Sequence, residues 1–187
     1  CYLDYVAVTG KDAGGGLGGI LYERVRKETR DLGCIGLFFE CLPDDPALSR
    51  EEPVRKQNIA RLRFYERYGA VPITGTKYET PLETGDDNPP YLVFDGLGRM
   101  EPLRREKARL IVAAILGKKY GSLCSPEYIR MVMDSFRDDP VKLRPLKYVS
   151  EPRRAAVAAE LPESERVALF VNRDHAIHHV RERGYVE

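Results

Sequence analysis

The sequence has little of what marks secreted, membrane-spanning or nucleic-acid-binding proteins. Its 187 residues contain no Trp and only four Cys. Four Cys are too few for a disulfide scaffold in a chain of this length, which favours a reducing, cytoplasmic compartment. The 30 basic and 29 acidic side chains leave a net charge of +1, so nucleic acid is not an expected partner. No apolar run approaches the roughly 20 residues that span a bilayer, so a membrane is not an expected partner either.

What the chain does contain is a hydrophobic fraction of 43%, which is enough to build a core. Residues 2–8 are apolar, aromatic and β-branched, which predicts a buried strand, and residues 34–40 predict a second one. Between them, residues 20–32 have the apolar spacing of an amphipathic helix that ends at Gly33. Strand, helix and parallel strand in this order form the βαβ unit of an α/β fold.

The remaining elements follow from the same patterns. A charged, Pro-rich loop follows residue 40, and after it we expect a helix at 58–68, strands at 71–78 and 90–95, and helices at 102–120 and 126–136. The longer of the last two helices places Leu110, Ile111, Ile115 and Leu116 on its apolar side. Residues 137–165 are rich in Pro and charge and resemble a linker, which a short strand at 167–171 and a helix at 174–183 follow.

A glycine-rich segment lies between the first predicted strand and the first predicted helix. Five of the six residues from 14 to 19 are Gly. Where a strand leads through glycines into a helix, backbone N–H groups and the helix dipole favour an anion, and the missing Cβ atoms allow close approach. The segment therefore predicts a phosphate or pyrophosphate site.

One cofactor class that uses such a site is the dinucleotides. Gly14, Gly16 and Gly19 match the spacing of the dinucleotide fingerprint, and Glu40 stands where a ribose-binding acid is expected. Against a Rossmann fold, residues 9–13 separate the strand from the first of these glycines. A Pro-rich loop, rather than a further β-α unit, also follows the second strand, so dinucleotide binding is the weaker alternative.

Two motifs instead resemble those of the GNAT N-acetyltransferase superfamily. Residues 6–8 and the loop that ends at residues 16–18 (Gly-Leu-Gly) are similar to its acetyl-CoA motif, Gln/Arg-x-x-Gly-x-Gly/Ala. Ala13 stands at the usual Gln/Arg position, and Lys11 is the expected replacement. Asn58 and residues 64–70 (Phe-Tyr-Glu-Arg-Tyr-Gly-Ala) are similar to the second signature of the superfamily.

The resemblance implies a GNAT-like mixed sheet with flanking helices, of which this chain holds the second half. Residues 1–98 are then the acetyl-CoA-binding portion, 99–149 a mainly helical extension, and 150–187 a linker with a terminal strand and helix. Because Cys1 opens directly into a predicted strand, we expect the chain to begin within a domain. We also expect a further domain of the same chain or a second copy in a homodimer as a partner.

The resemblance further implies that acetyl-CoA is the cosubstrate. The residues implied to bind it are Val6, Ala7, Val8, Lys11, Gly14, Gly15, Gly16, Leu17, Gly18, Gly19, Asn58 and Tyr65. In this reading the backbone of residues 6–8 pairs with pantetheine, residues 14–19 hold the pyrophosphate, and Asn58 contacts the cofactor arm.

The implied reaction is attack of an acceptor amine, from a small molecule or a protein, on the thioester of acetyl-CoA. Tyr65 matches the general acid of the superfamily, which protonates the departing thiolate. Asp4 and Glu40 are the candidates for the base. The alternative is a GNAT-like domain that binds CoA for regulation or interaction in a larger protein, such as one fused to a deacetylase-like domain.

The sequence predicts no metal site. His175 and His179 share a helical face, but the Glu of a His-Glu-x-x-His motif is absent. Cys34 and Cys41 lie too far apart within one extended strand to pair with each other, and they form no Cys-x-x-Cys motif.

Overall fold

The structure, a computed structural model, describes residues 1–6, 16–81 and 89–152. Within these ranges the chain forms four helices and four strands, so the mixed α/β class expected from the sequence is confirmed. The described residues divide into two compact units, residues 1–37 (unit 1) and residues 38–152 (unit 2). The elements predicted at 167–171 and 174–183, together with His175 and His179, lie outside the described residues.

Unit 1 contains strand β1 (Tyr2–Leu3) and helix α1 (Leu17–Asp31). β1 is shorter than the strand predicted at 2–8: residues 4–6 lie outside it, and the side chains of Asp4 and Tyr5 are exposed. α1 begins before the predicted residue 20, because Gly16 takes a φ of +83° and starts the helix directly after it. At its other end the left-handed Gly33 (φ +69°) donates to the carbonyl of Arg30, as predicted for a glycine stop.

Unit 2 is built on strands β2 (Leu37–Cys41), β3 (Val71–Pro72) and β4 (Tyr91–Asp95), and β2 begins at the last residue of unit 1. β4 lies between β2 and β3. β3 and β4 are antiparallel, with Val71 opposite Phe94. The side chains of β2 and β4 are almost all buried, because other elements cover both faces of these strands.

β3 is shorter than the strand predicted at 71–78, and a second segment of the chain pairs along its free edge. The amide of Thr74 donates to the carbonyl of Lys142 (2.9 Å), and the amide of Arg144 donates to the carbonyl of Pro72 (2.9 Å). Ile73 forms an isolated antiparallel bridge with Leu143. Residues 141–148, which we call the closing segment, are therefore part of unit 2, and the interpretation of this stretch as a linker is wrong.

Three helices complete unit 2: α2 (Glu52–Glu66), α3 (Arg105–Lys119) and α4 (Pro126–Ser135). α2 starts six residues before the predicted position 58, with Pro53 in its first turn, where a missing N–H costs no helical hydrogen bond. The Ser125 hydroxyl caps α4 by accepting from the amide of Tyr128 (3.2 Å). α3 and α4 pack against each other. None of the helices in the described ranges is long and apolar enough to cross a bilayer.

Candidate functional site

A polar cluster surrounds Glu40 of β2 in unit 2. Its Oε1 accepts a hydrogen bond from the Tyr78 hydroxyl (2.7 Å). Its Oε2 accepts from the Tyr120 hydroxyl (2.7 Å) and from Lys119 Nζ (2.8 Å). We call these four residues the Glu40 cluster, and its carboxylate is held by one cation and two hydroxyl donors.

Three separate elements bring the Glu40 cluster together. Glu40 comes from β2, Tyr78 from the loop after β3, and Lys119 and Tyr120 from the end of α3. The Lys119 ammonium also lies 5.1 Å from the centre of the Tyr120 ring. Carboxylate, tyrosines and ring together form a site that accommodates a primary ammonium, which Lys119 supplies in this structure.

The charge of Glu40 also acts on its neighbours. Burial, followed by the hydrogen bond from Tyr120 to Glu40 and the negative charge of Glu40, raises the pKa of Tyr120 to about 12. Burial and the same charge raise the pKa of the Cys124 thiol. The tyrosine and the thiol therefore keep their protons at neutral pH, and Tyr120 acts as a hydrogen-bond donor.

Tyr65, the general acid implied by the resemblance, lies near the end of α2 and is 8% exposed. Its ring packs 4.4 Å from that of Phe39 and 5.0 Å from that of Phe64. Burial, together with the neighbouring Cys41 thiol, raises the pKa of Tyr65. The Tyr65 hydroxyl is therefore a proton donor at neutral pH and not a phenolate.

Tyr65 and Glu40 lie on opposite faces of β2. Side chains alternate along a strand, so Phe39 and Cys41 share one face while Glu40 projects from the other. Tyr65 packs on the Phe39 face. The structure thus does not bring the predicted acid and this predicted base together on one side of the strand.

Asn58 of α2 is 2% exposed and holds the loop that follows β2. Its Nδ2 donates to the carbonyl of Pro43 (2.8 Å) and to the Ser49 hydroxyl (3.4 Å). Both contacts lie within unit 2, and they fix the loop against the helix. The predicted contact of Asn58 with a cofactor arm stays a prediction.

Next to that loop lies a buried network of charges that sequence reasoning missed. Arg144 Nη1 donates to both oxygens of Asp44 (3.0 Å each), and Arg144 Nη2 donates to Glu66 Oε1 (3.0 Å). Lys147 Nζ (3.0 Å) and the Tyr148 hydroxyl also donate to Asp44 Oδ2. The amides of Lys147 (3.0 Å) and Tyr148 (2.7 Å) donate to Glu66 Oε2. The closing segment is thereby bound to two buried carboxylates.

Glu79 is a further carboxylate that the sequence did not single out. Burial and the nearby negative charge of Asp45 raise its pKa to about 6, and the charge of Arg144 only partly opposes them. A carboxyl with a pKa close to neutrality suits a general base, because it is ionised at pH 7 and still has an appreciable affinity for a proton. No local motif marks this residue, since its environment arises from tertiary packing.

In unit 1 the described part of the glycine-rich segment starts a helix. The Gly16 carbonyl accepts from the amides of Gly19 (2.9 Å) and Ile20 (3.2 Å), which closes the first turn of α1. Helix geometry leaves the amides of Leu17 and Gly18 in this first turn without a carbonyl four residues earlier in the helix. These N–H groups and the positive end of the helix dipole favour an anion.

Of the other residues of unit 1 predicted to bind the cofactor or act as the base, only some lie within the described residues. Asp4 is exposed and Val6 half-buried, both after the end of β1. The remaining predicted cofactor contacts, Ala7, Val8, Lys11, Gly14 and Gly15, lie outside the described residues. Among the residues that the structure describes, no three His, Cys, Asp or Glu side chains are arranged to hold a metal ion.

Comparison with known proteins identifies no relative of this chain. No protein-family model, curated protein or solved structure matches the chain.

Proposed function

We propose that the protein is an acetyl-CoA-dependent N-acetyltransferase of the GNAT type, which transfers an acetyl group to a primary amine of a small molecule or a protein. One observation carries the proposal, the order of elements β1-α1-β2-α2-β3-β4. It is the order strand, helix, strand, helix, strand, strand that the resemblance implies for the acetyl-CoA-binding half of the fold. The described residues 16–18 of the first motif lie at the start of α1 and residues 64–66 of the second at the end of α2, which supports the proposal.

In this proposal unit 1 binds the acidic part of the cofactor. The amides of Leu17 and Gly18 and the dipole of α1 offset the charge of the pyrophosphate. Gly16 suits the start of this helix because its φ of +83° is strained for any residue with a Cβ. Residues 6–8 supply backbone groups to pantetheine.

The chemical step needs a proton donor for the leaving group. The acceptor amine attacks the thioester carbonyl, the tetrahedral intermediate collapses, and the carbon–sulfur bond breaks with both electrons on sulfur. Tyr65 gives its proton to this thiolate and later regains one from solvent. Support comes from its place in the second motif, four residues before Gly69, and from a hydroxyl that is protonated at neutral pH.

A base must remove the proton that the amine loses. The proposed base is Glu79, because its pKa of about 6 leaves it ionised at pH 7 with an appreciable affinity for a proton. Glu40 accepts hydrogen bonds from Tyr78, Lys119 and Tyr120 on the face of β2 opposite Tyr65, so it is not the proposed base. Asp4 is the other sequence candidate, and its side chain is exposed in unit 1.

A second function, CoA binding without turnover in a regulatory or interaction domain, is favoured by one observation. The Asn58 amide and the Glu40 carboxylate, two of the predicted functional groups, are both occupied by hydrogen bonds within the protein. A domain that has kept the fold but not the reaction would have such groups in structural roles. Fusion to a deacetylase-like domain belongs to this second proposal.

The experiment combines calorimetry with acetyl-CoA and a thiol-release assay across a panel of primary amines. Binding with release of CoA supports the enzyme, and binding without release supports the regulatory domain. If acetyl-CoA does not bind, both proposals are wrong.

We predict that Tyr65→Phe lowers turnover by about 100-fold or more, since a general acid contributes roughly 10²–10⁴. Its affinity for acetyl-CoA should stay close to that of the wild type, because the ring and its contacts are kept. Tyr68→Phe is the matched control, a buried tyrosine that packs on the same Phe64 ring. If Tyr65→Phe retains wild-type turnover, Tyr65 is not the acid.

A further inference from the structure

Unit 1 contains two thiols in direct contact. Cys1 Sγ lies 2.9 Å from Cys34 Sγ, although the two residues are 33 positions apart. One of the two thiols donates to the other, and Cys1 is exposed while Cys34 is half-buried. The other two cysteines, Cys41 and Cys124, are 2% and 6% exposed.

Hydrogen bonds of the backbone hold both thiols in place. The left-handed Gly33 ends α1, and the amide of Cys34 then donates to the carbonyl of Thr29 (3.2 Å). On the other side the backbone nitrogen of Cys1 donates to the carbonyl of Gly36 (3.0 Å). The two sulfur atoms therefore lie on segments that backbone hydrogen bonds hold in place.

We infer that Cys1 and Cys34 are a redox-reactive pair that a two-electron oxidant such as hydrogen peroxide converts into an intrachain disulfide. A disulfide bond is about 2.05 Å long, so the sulfurs must approach by less than about 1 Å, which side-chain rotation can supply. The cysteine nearest to Cys34 in the sequence is Cys41, so it is the fold that brings Cys1 to Cys34. This inference is independent of the proposed acetyltransferase activity.

The oxidation takes place in two balanced steps. One thiolate attacks hydrogen peroxide, the oxygen–oxygen bond breaks, and a sulfenic acid and hydroxide form. The second thiolate then attacks the sulfenic sulfur, forms the sulfur–sulfur bond and releases hydroxide. Overall, two thiols lose two electrons and two protons, and one peroxide becomes two waters. A dithiol reductant reverses the change.

The product closes a covalent ring that contains the glycine-rich segment 14–19 and all of α1. Such a ring restricts the unfolded chain more than the folded one. Oxidation should therefore stabilise unit 1 and slow its local opening, which makes the pair a reversible redox clamp.

The test treats the protein with a small excess of hydrogen peroxide, blocks remaining thiols and maps the peptides without reduction. Cys34 and Cys41 fall in one tryptic peptide, residues 31–50, so a second cleavage after Glu40 is needed to separate them. We expect a cross-link between the peptide that ends at Lys11 and the one that carries Cys34. Hydrogen exchange of α1 should slow in the oxidised protein and recover after reduction.

Cys1→Ser and Cys34→Ser should each abolish the cross-link and the slower exchange, whereas Cys124→Ser should keep both. The inference is wrong if peroxide yields separately oxidised cysteines without the cross-link. It is equally wrong if the cross-link occurs only in covalent dimers on a non-reducing gel, or if Cys41 takes the place of Cys1 as partner.

Discussion

Arg144 shows how one side chain can decide the structure of a region. Its guanidinium joins Asp44 and Glu66, whose side chains are almost completely buried. An isolated buried carboxylate is very unfavourable, so each of them needs a cation or several donors. Asp44 also accepts hydrogen bonds from Lys147 and Tyr148, whereas the ionic partner of Glu66 in this network is Arg144.

We predict that Arg144→Met lowers the free energy of unfolding by about 3–5 kcal/mol, the range seen when one partner of a buried ion pair is removed. Urea denaturation followed by circular dichroism measures the loss. Lys142→Met, an exposed position of the same closing segment, is the control and should change the stability by less than about 0.5 kcal/mol. Equal losses in the two variants would contradict the assigned role of Arg144.

At the scale of elements, the start of α1 depends on the backbone conformation of one glycine. Gly16 stands before the helix with a φ of +83°, a conformation that costs residues with a Cβ about 1–2 kcal/mol. Nothing lies near the position that its Cβ would occupy, so conformational strain and not a clash is the expected cost of a substitution.

We therefore predict that Gly16→Ala lowers the free energy of unfolding by about 1 kcal/mol. Gly117→Ala is the opposite case, because Gly117 lies inside α3 with open space around it and a helical Ala is favoured by about 1 kcal/mol. Thermal unfolding of both variants gives the comparison. A Gly16→Ala protein as stable as the wild type would show that α1 can begin without a left-handed residue.

α3 shows how far the pattern of an element can be predicted. Its extent was predicted to within a few residues, and Ile115 and Leu116 are buried as expected. Leu110, assigned to the apolar side, is 69% exposed, and Ala108 and Val112 are buried instead. Periodicity indicates that a helix has an apolar face. Which of its side chains are buried depends on the elements that pack against the helix, here including α4.

At the scale of the whole molecule, the closing segment is the largest departure from expectation. Its prolines and charges are typical of a solvated linker, yet the segment pairs with the chain beside β3. Its side chains Arg144, Lys147 and Tyr148 also donate hydrogen bonds to buried carboxylates. These charged residues can be buried because each forms an ion pair or a hydrogen bond with a buried carboxylate. The partners lie 78 to 104 positions earlier in the chain, where no local pattern indicates them.

The same network predicts how stability depends on pH. Burial alone would raise the pKa of Asp44, but hydrogen bonds from Tyr148 and Lys147 and the charge of Arg144 hold it below its usual value. A carboxyl with a lowered pKa in the folded state contributes stability above its unfolded pKa of about 3.9, and this is lost as the pH falls through the folded pKa. The free energy of unfolding should therefore decrease below about pH 5.

Urea denaturation at a series of pH values tests this expectation. Asp44→Asn should be less stable at neutral pH and should lose less stability on acidification than the wild type. Asp134→Asn, an exposed carboxyl of α4, should follow the wild-type curve. An Asp44→Asn protein with an unchanged acid dependence would show that other carboxyls cause it.

Within the described residues, the sequence by itself determined the α/β class, the order of the elements and the approximate positions of the helices, because hydrophobic periodicity and glycine stops are local signals. It also singled out Gly16, Glu40 and Tyr65. Only the tertiary structure decided that Glu40 and Tyr65 lie on opposite faces of β2, that Glu40 meets Tyr78, Lys119 and Tyr120, and that Cys1 meets Cys34. These contacts join residues 33 to 80 positions apart, and such pairings arise from packing, which no short stretch of the sequence encodes.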